Sequence, residues 1–506
     1  MTVMSKTLSG APTHNEIVWE SIKWKQVKSF VHRLQMRIAK AYREGKHGKV
    51  KSLQWILTHS FYAKLLAVKR VTENRGAKTA GVDQVIWRTP KQKMRAAFSL
   101  KRRGYRAQPL RRIHIPKKEA GKFRPLSIPT MSCRAQQALH LLSLEPVAET
   151  MADKNAYGFR PLRSTADAIE RCCSILNKKG CSEYILEGDI KSCFDNISKS
   201  WLMNNILMDK QILEKWLNAG YIEKNEYYDT ENGTPQGGII SCALLTITLS
   251  GLEETIKSVI SQRKDKVYLC TYADDFIITG ATKEVLREKV MPTVETFLNE
   301  RGLTLSKEKT KITHINEGFD FLSVNIRKYK GKLLTKPAKS SIKKFLGDIR
   351  KTIKSNSCAK TENLIHLLNP KIRGWANYHR HGAAKQTFGY VSHHIFKALW
   401  QWAKRRHSRK SAKWIRQKYF RRVKHQNWVF FRKIKDKSGK KSFLDLIEIA
   451  KTPIRRHIKF KCEATPYDPA YQEYIAKRIE LRKSKQLFRK CKDSWSAWWE
   501  IPSAIN

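Results

Sequence analysis

Apolar positions along the chain follow two different periods. Across 18–70 they recur at helical spacing, with Trp19, Ile22, Trp24, Val27, Phe30 and Val31 on one stripe, which predicts an amphipathic helical N-terminal portion. The same spacing predicts helices over 134–150, 164–177, 239–249 and 286–301. It returns at Ile342, Phe345, Leu346, Ile349 and Ile353, behind Ser340 and Ser341 as candidate caps, and again over 364–375. Short apolar runs read instead as strands: Tyr184-Ile185-Leu186, Val267-Tyr268-Leu269-Cys270 and Phe276-Ile277-Ile278. Only Thr271 and the tetrad Tyr272-Ala273-Asp274-Asp275 separate the last two runs, so they predict a tight hairpin. A second hairpin is expected where Ile113-His114-Ile115-Pro116 and Phe123-Arg124-Pro125-Leu126 flank a turn holding Gly121.

The tetrad carries the first chemical signal. Adjacent carboxylates at a hairpin tip repel each other, and a bound divalent cation would remove that repulsion. All-oxygen ligands from few side chains, with room left for phosphates, suit magnesium. Taken alone, Asp274-Asp275 is more often a plain polar turn, and Asp189, after Tyr184-Ile185-Leu186, is an acceptable helix cap. Taken together they predict three carboxylates at neighbouring strand ends, a setting that holds two metal ions about 3.5–4 Å apart.

The segment Asp189-Ile190-Lys191-Ser192-Cys193-Phe194-Asp195, the tetrad, and Gly233-Thr234-Pro235-Gln236-Gly237-Gly238 together resemble blocks of reverse transcriptases, in particular the reverse transcriptase/maturase proteins encoded by bacterial group II introns. The resemblance continues, in the family's order, through Asn74 to Asp83, Arg124 to Pro129, Tyr157 to Pro161, Gly302 to Thr310 and Gly318 to Leu322. It spans roughly residues 70 to 430. It implies that Asp189, Asp274 and Asp275 are the catalytic, metal-holding acids and that two Mg2+ ions and deoxynucleoside triphosphates are used. It also implies that Phe194 lies against the sugar of the incoming nucleotide, that Gln236 and Gly237 support the templating base, and that Lys117 and Arg124 grip the triphosphate. Arginine's bidentate reach to phosphate and lysine's point charge are consistent with the last assignment. Phe194 as core, Gln236-Gly237 as a simple turn, and Lys117, Lys118, Lys307 and Lys309 as solvated surface are the plainer readings.

Charge narrows the partners. The 506 residues hold 100 Lys plus Arg against 44 Asp plus Glu, a net charge of +56, which self-repels unless a polyanion neutralises it. No run of about 20 apolar residues is present, so a membrane-spanning helix is excluded. Ten scattered cysteines without a Cys-x-x-Cys pair argue for reduced thiols and against a zinc site. A bacterial cytoplasmic location, at the nucleoid when on DNA, is therefore expected.

The excess is unevenly spread. Between Glu362 and Asp436 there is no carboxylate, while 19 Lys or Arg and 13 Phe, Tyr or Trp residues occur. Basic groups meet phosphates and aromatic faces stack on unpaired bases, although many of these aromatics can equally form helix cores. Arg373, Trp375, Tyr378, His379, Arg380, Arg405, Arg406, Arg416 and Arg421 are the candidate RNA contacts. The wording Leu368 to His379 is similar to the maturase domain of the same family, which implies binding of the intron RNA, action at a target DNA, and use of an RNA template with a DNA primer.

The expected architecture is α+β. It has a helical extension over 1–80, fingers and palm of a right-hand polymerase over 81–330, a helical thumb/maturase domain over 331–428, and a basic helical, DNA-contacting tail over 429–506. That tail holds only Cys462 and Cys491, so the metal-dependent nuclease of many relatives is not expected. A splicing-only maturase and a domesticated reverse transcriptase for repair or defence are the alternatives. Intact Asp189, Asp274, Asp275 and Gln236 weigh against the first of these.

Overall fold

The computed structural model of the chain describes residues 18–116, 121, 123–234, 237–424, 426–435 and 441–481. Its strands are, in order, β1 (Leu110–Pro116), β2 (Phe123–Ile128), β3 (Tyr184–Asp189), β4 (Tyr221–Glu223), β5 (Glu226–Tyr228), β6 (Tyr268–Tyr272), β7 (Asp275–Gly280), β8 (Lys311–His314), β9 (Phe319–Phe321), β10 (Val324–Tyr329), β11 (Lys332–Pro337), β12 (Phe420–Val423), β13 (Gln426–Lys435) and β14 (Lys441–Asp445). They form four sheets, ordered β2-β1-β4-β5, β6-β7-β3-β8, β11-β10-β9 and β12-β13-β14.

The antiparallel β6-β7-β3-β8 sheet is the palm, and its alternation sorts side chains to two faces. Leu186, Leu269, Phe276 and Ile278 enter the large core, whereas Ile185, Cys270 and Ile277 enter a smaller one with Tyr157, Ala168 and Cys172. Burial on both faces explains why these strands read as continuous apolar runs rather than as half-polar ones. Each such side chain contributes roughly 1.5–3 kcal/mol.

The N-terminal stripe forms the Trp24–Arg43 helix, with Val27, Val31, Leu34 and Ile38 buried. It packs on the Met131–Met151 helix, where Gln35 Nε2 donates to the Leu142 carbonyl at 2.8 Å. The helical extension is thus built into the large core. The Met131–Met151 helix is buried on all sides, including Arg134, Gln136, His140 and Glu149, because it runs through the middle of that core.

Beyond the β9–β11 meander, helices Lys339–Ser355, Thr361–His379, Lys385–Arg406 and Ala412–Tyr419 enclose a separate core around Ile349, Leu364, Leu368, Phe388 and Val391. Ser340 and Ser341 are not caps: the helix begins one residue earlier behind Ala338. Ser341 turns inward instead, accepting from Trp375 Nε1 at 3.3 Å and meeting His379 Nε2 at 3.2 Å.

The expectation of a helical tail is corrected. Residues 420–423, 426–435 and 441–445 make the β12–β13–β14 sheet, since Trp428-Val429-Phe430-Phe431 is a β-forming run. An irregular strap follows, and helix resumes only at 472–481. The strap returns to the palm, where Phe460, Ala464 and Ile475 pack with Leu162, Tyr471 and Tyr474.

Candidate polymerase site

The three acids occupy neighbouring backbone positions at one corner of the palm sheet. Asp189 closes β3 and faces Asp275, the first residue of β7, in the antiparallel register. Asp274 sits in the two-residue link between β6 and β7. Ala273 in that link has φ 58°, a left-handed conformation that costs an L-residue about 1–2 kcal/mol.

Surrounding backbone holds this turn in place. Tyr157 N–H donates to the Thr271 carbonyl at 2.9 Å, and Thr271 N–H to the Asn155 carbonyl at 3.1 Å. Gly158 lies so close that an added Cβ would stand 2.1 Å from Ala273 N. On the next strand Gly188 faces Phe276, whose ring occupies the space of a Cβ. These glycines were visible in the sequence only as letters of a resemblance. Their function is close approach.

Asp189 is anchored from a third side. Its carbonyl accepts from Ser306 N–H at 2.8 Å, and one carboxylate oxygen takes Lys309 Nζ at 2.9 Å. Lys309, which the plainer sequence reading leaves at the solvated surface, is thus a counter-ion to a site acid. Next door, Lys311 Nζ lies 3.2 Å from Glu187, whose pKa burial raises.

The donor set fits a hard cation, being all oxygen. Cys193 is the nearby sulfur. Burial, and then the charges of Asp274, Asp189 and Asp195, push its thiol pKa up, so it stays neutral and does not compete. Among the described residues, no three His, Cys, Asp or Glu side chains stand at metal-holding spacing. The backbone gathers the acids, while the side chain of Asp189 is engaged with Lys309.

Phe194 lies in the short Cys193–Asn196 helix that starts from left-handed Ser192 (φ 45°). It is half-buried and edge-on to Phe159 at 6.1 Å. Thr234 N–H donates to the Phe194 carbonyl at 2.7 Å, and Gly233 (φ 84°) fits only because it has no Cβ, which would stand 2.4 Å from that oxygen. Gly237 crosses the end of β2, where a Cβ would stand 2.6 Å from the Ser127 carbonyl. Arg124 is exposed on β2 opposite Ile115. Lys117 and Gln236 lie outside the described residues.

The candidate RNA contacts divide. Arg373, Arg405 and Arg416 are exposed; so is Arg406, with one N–H on the Ala359 carbonyl at 2.7 Å. Tyr378 is exposed but donates to the Leu322 carbonyl at 2.7 Å. Trp375 stacks on Phe345 at 4.7 Å, and Arg421 chelates Asp445 at 2.9 and 2.6 Å. His379 and Arg380 are buried, and burial lowers the His379 pKa to about 4, leaving it neutral. These four serve packing in this structure. A sequence pattern of basic and aromatic residues does not distinguish the two uses.

A palm with its acids in this register, preceded by a two-stranded fingers hairpin and followed by a helical thumb, defines a right-hand polymerase. Residues 115–326 match the family described as reverse transcriptase (RNA-dependent DNA polymerase), 19–100 its N-terminal domain, and 342–420 the group II intron maturase-specific domain. The chain is 28% identical over 409 residues to the group II intron-encoded protein LtrA of Lactococcus lactis subsp. cremoris, covering 62% of this chain and 68% of that one. It is 32% identical over 305 residues to protein YkfC of Escherichia coli K12, covering 51% and 78%. A telomerase structure from Candida albicans aligns with a TM-score of 0.37 at 13% identity, over 61% of this chain and 64%, just under two thirds, of that chain. The chain belongs to the reverse transcriptase/maturase family of group II intron-encoded proteins.

Proposed function

We propose that the chain copies RNA into DNA at Asp189, Asp274 and Asp275, with two Mg2+ ions and deoxynucleoside triphosphates, and that its thumb binds the parent intron RNA to promote splicing. The observation that supports this most is the β3–β7 register, which sets Asp189 opposite Asp275 with Asp274 in the adjoining link. Magnesium held there would supply the positive charge that activates a primer 3′-hydroxyl and steadies departing pyrophosphate. The chain's own part is positional. The segment 155–158 and Gly188 fix the acids, Lys309 balances Asp189 until a cation takes that place, and the Phe194 ring, as the family resemblance implies, would lie against the incoming sugar and clash with a 2′-hydroxyl. Exposed Arg124 suits the triphosphate. With intron RNA bound and a DNA end as primer, the same site would copy the intron at a DNA target, in the bacterial cytoplasm at the nucleoid.

Primer extension on poly(rA)/oligo(dT) tests the reading. Extension that needs Mg2+ and stops on chelation is expected. A protein that binds intron RNA and promotes splicing but never extends a primer would favour the splicing-only alternative.

A further inference from the structure

Three buried charged side chains lie between the strap and the turn at 153–158. Their side-chain exposures are 2% for Glu149, 4% for Arg160 and 1% for Arg163. Glu149 Oε1 accepts from Arg160 Nε at 2.5 Å, and its Oε2 accepts from Arg163 Nη1 at 3.1 Å. Each guanidinium directs other donors to backbone. Arg160 Nη1 donates to the Asp153 and Ala156 carbonyls at 2.7 and 2.9 Å. Arg163 Nη2 donates to the Cys462 and Ala464 carbonyls of the strap, both at 3.1 Å. The strap is thus joined, through Arg163, Glu149 and Arg160, to the turn. Cys462 also reaches the turn directly, its Sγ lying 3.8 Å from the Tyr157 hydroxyl and 3.9 Å from Asn155 Oδ1.

Both ends of this chain of contacts are fixed. At one end Ala156 pairs with Thr271, which also bonds the Tyr157 N–H and the Asn155 carbonyl and lies shortly before Asp274. At the other, Asp167 Oδ1 accepts from Phe460 N–H at 2.7 Å and from His457 Nε2 at 2.8 Å, which holds the strap on the palm. Burying three charges gains little stability over apolar packing of the same volume. What the guanidinium fork adds is direction, because it holds several acceptors in one plane. The backbone beside the arginines needs such constraint. Phe159 and Leu162, the residues preceding Arg160 and Arg163, are left-handed at φ 59° and 64°, and bulky L-residues stay there only where their surroundings over-determine it. We propose that the strap is a positioning element of the polymerase site: its Cys462 and Ala464 carbonyls hold Arg163, which with Glu149 and Arg160 sets the 153–158 turn against the link carrying Asp274. The inference rests on the reading that Asp189, Asp274 and Asp275 polymerise.

Arg163→Met in the full-length protein is the test, because it cuts the strap from Glu149 while leaving the Arg160 contacts in place. Single-nucleotide incorporation on poly(rA)/oligo(dT) is followed by rapid quench at saturating Mg2+ and thymidine triphosphate. The amplitude counts competent sites, and the rate constant reads the geometry within them. A role confined to stability lowers the amplitude and leaves the rate constant alone. Arg163→Met should lower the rate constant by roughly tenfold, part of the hundredfold that a misplacement of about 1 Å typically costs. Arg43→Met is the control: it makes the same substitution at another attachment of the strap, the Arg43–Asp468 ion pair, and should keep the wild-type rate constant. A rate constant lowered less than about threefold in Arg163→Met, whatever its amplitude, overturns the inference. Equal slowing by Arg43→Met would mean that any loosening of the strap suffices, and would overturn the route through Arg163. If Arg163→Met does not fold, Arg163→Lys decides. It keeps the charge but lacks the fork that holds Glu149 and both carbonyls, so slower incorporation at full amplitude is expected and a wild-type rate constant overturns the inference. No incorporation by the wild type would overturn the polymerase reading itself, and this inference with it.

Discussion

Replacing Gly158 by alanine should disable polymerisation without touching an acid. The added Cβ would stand 2.1 Å from Ala273 N, 2.8 Å from the Tyr272 carbonyl carbon and 2.9 Å from Ala273 Cα. Non-bonded heavy atoms need about 3.5 Å, so the shortfall is about 1.4 Å. All three neighbours are backbone, and no side chain can rotate away to relieve it. Two hydrogen bonds tie the 155–158 segment to Thr271, so the strain passes into the link that carries Asp274. A displacement of about 1 Å at reacting groups typically costs about a hundredfold in rate, or about 2.7 kcal/mol of barrier. Overpacking should also remove about 1–3 kcal/mol of stability. Rapid-quench measurement of single-nucleotide incorporation reads the rate, and a thermal melt reads the stability. Gly48→Ala is the control, because its Cβ meets nothing, and it should incorporate at the wild-type rate. Incorporation by Gly158→Ala within threefold of wild type would refute the claim that this contact positions the acids.

Other expectations are briefer. Asp274→Ala should abolish extension yet bind RNA with nearly wild-type affinity, measured by filter binding; parallel loss of splicing would show the two roles to be inseparable. RNA affinity should fall steeply between 50 and 200 mM salt, by about 10³-fold if about six phosphates are neutralised, and a flat response would tell against the basic thumb surface. Buried His140 and His379 have pKa values lowered to about 4 by burial. The unfolded chain therefore takes up protons first, and stability that is full above pH 6.5 should decline down to about pH 4, by roughly 3 kcal/mol per histidine. Urea melts at pH 7.5 and 5 check this, and equal midpoints would contradict it. Asp167 is buried, which alone would raise its pKa, but hydrogen bonds from His457, Ser164 and the Phe460 N–H hold it at about 2. That contribution is present above about pH 4 and lost as pH falls towards 2. At neutral pH, Asp167→Asn should loosen the strap and speed proteolytic cleavage near Phe460.

The carboxylates are legible in the sequence because strand–acid–acid–strand is a local pattern, and burial of the palm on both faces writes its strands as apolar runs. The third acid is legible because Asp189 also follows a strand. What holds the acids is not. Gly158 acts on Ala273, Ser306 on Asp189 and Gly233 on Phe194, contacts set by chain crossings that no window of neighbouring residues encodes. The thumb misleads for a different reason. Trp375, His379, Arg380 and Arg421 share their composition with an RNA surface but point inward, since burial depends on which helix face meets Phe345 or Asp445. The tail is expected to be helical, whereas the β-forming run at Trp428 to Phe431 makes its described beginning a strand.

Binding of Mn2+ as a spectroscopic stand-in for Mg2+ tests the account at its centre. Free and bound Mn2+ are counted by electron paramagnetic resonance in the protein bound to a terminated primer, RNA template and the next deoxynucleotide. The wild type should hold two ions per chain, and Asp189→Asn and Asp274→Asn should each hold fewer. Unchanged Mn2+ occupancy in both variants would mean that the acids at 189, 274 and 275 do not form the metal site.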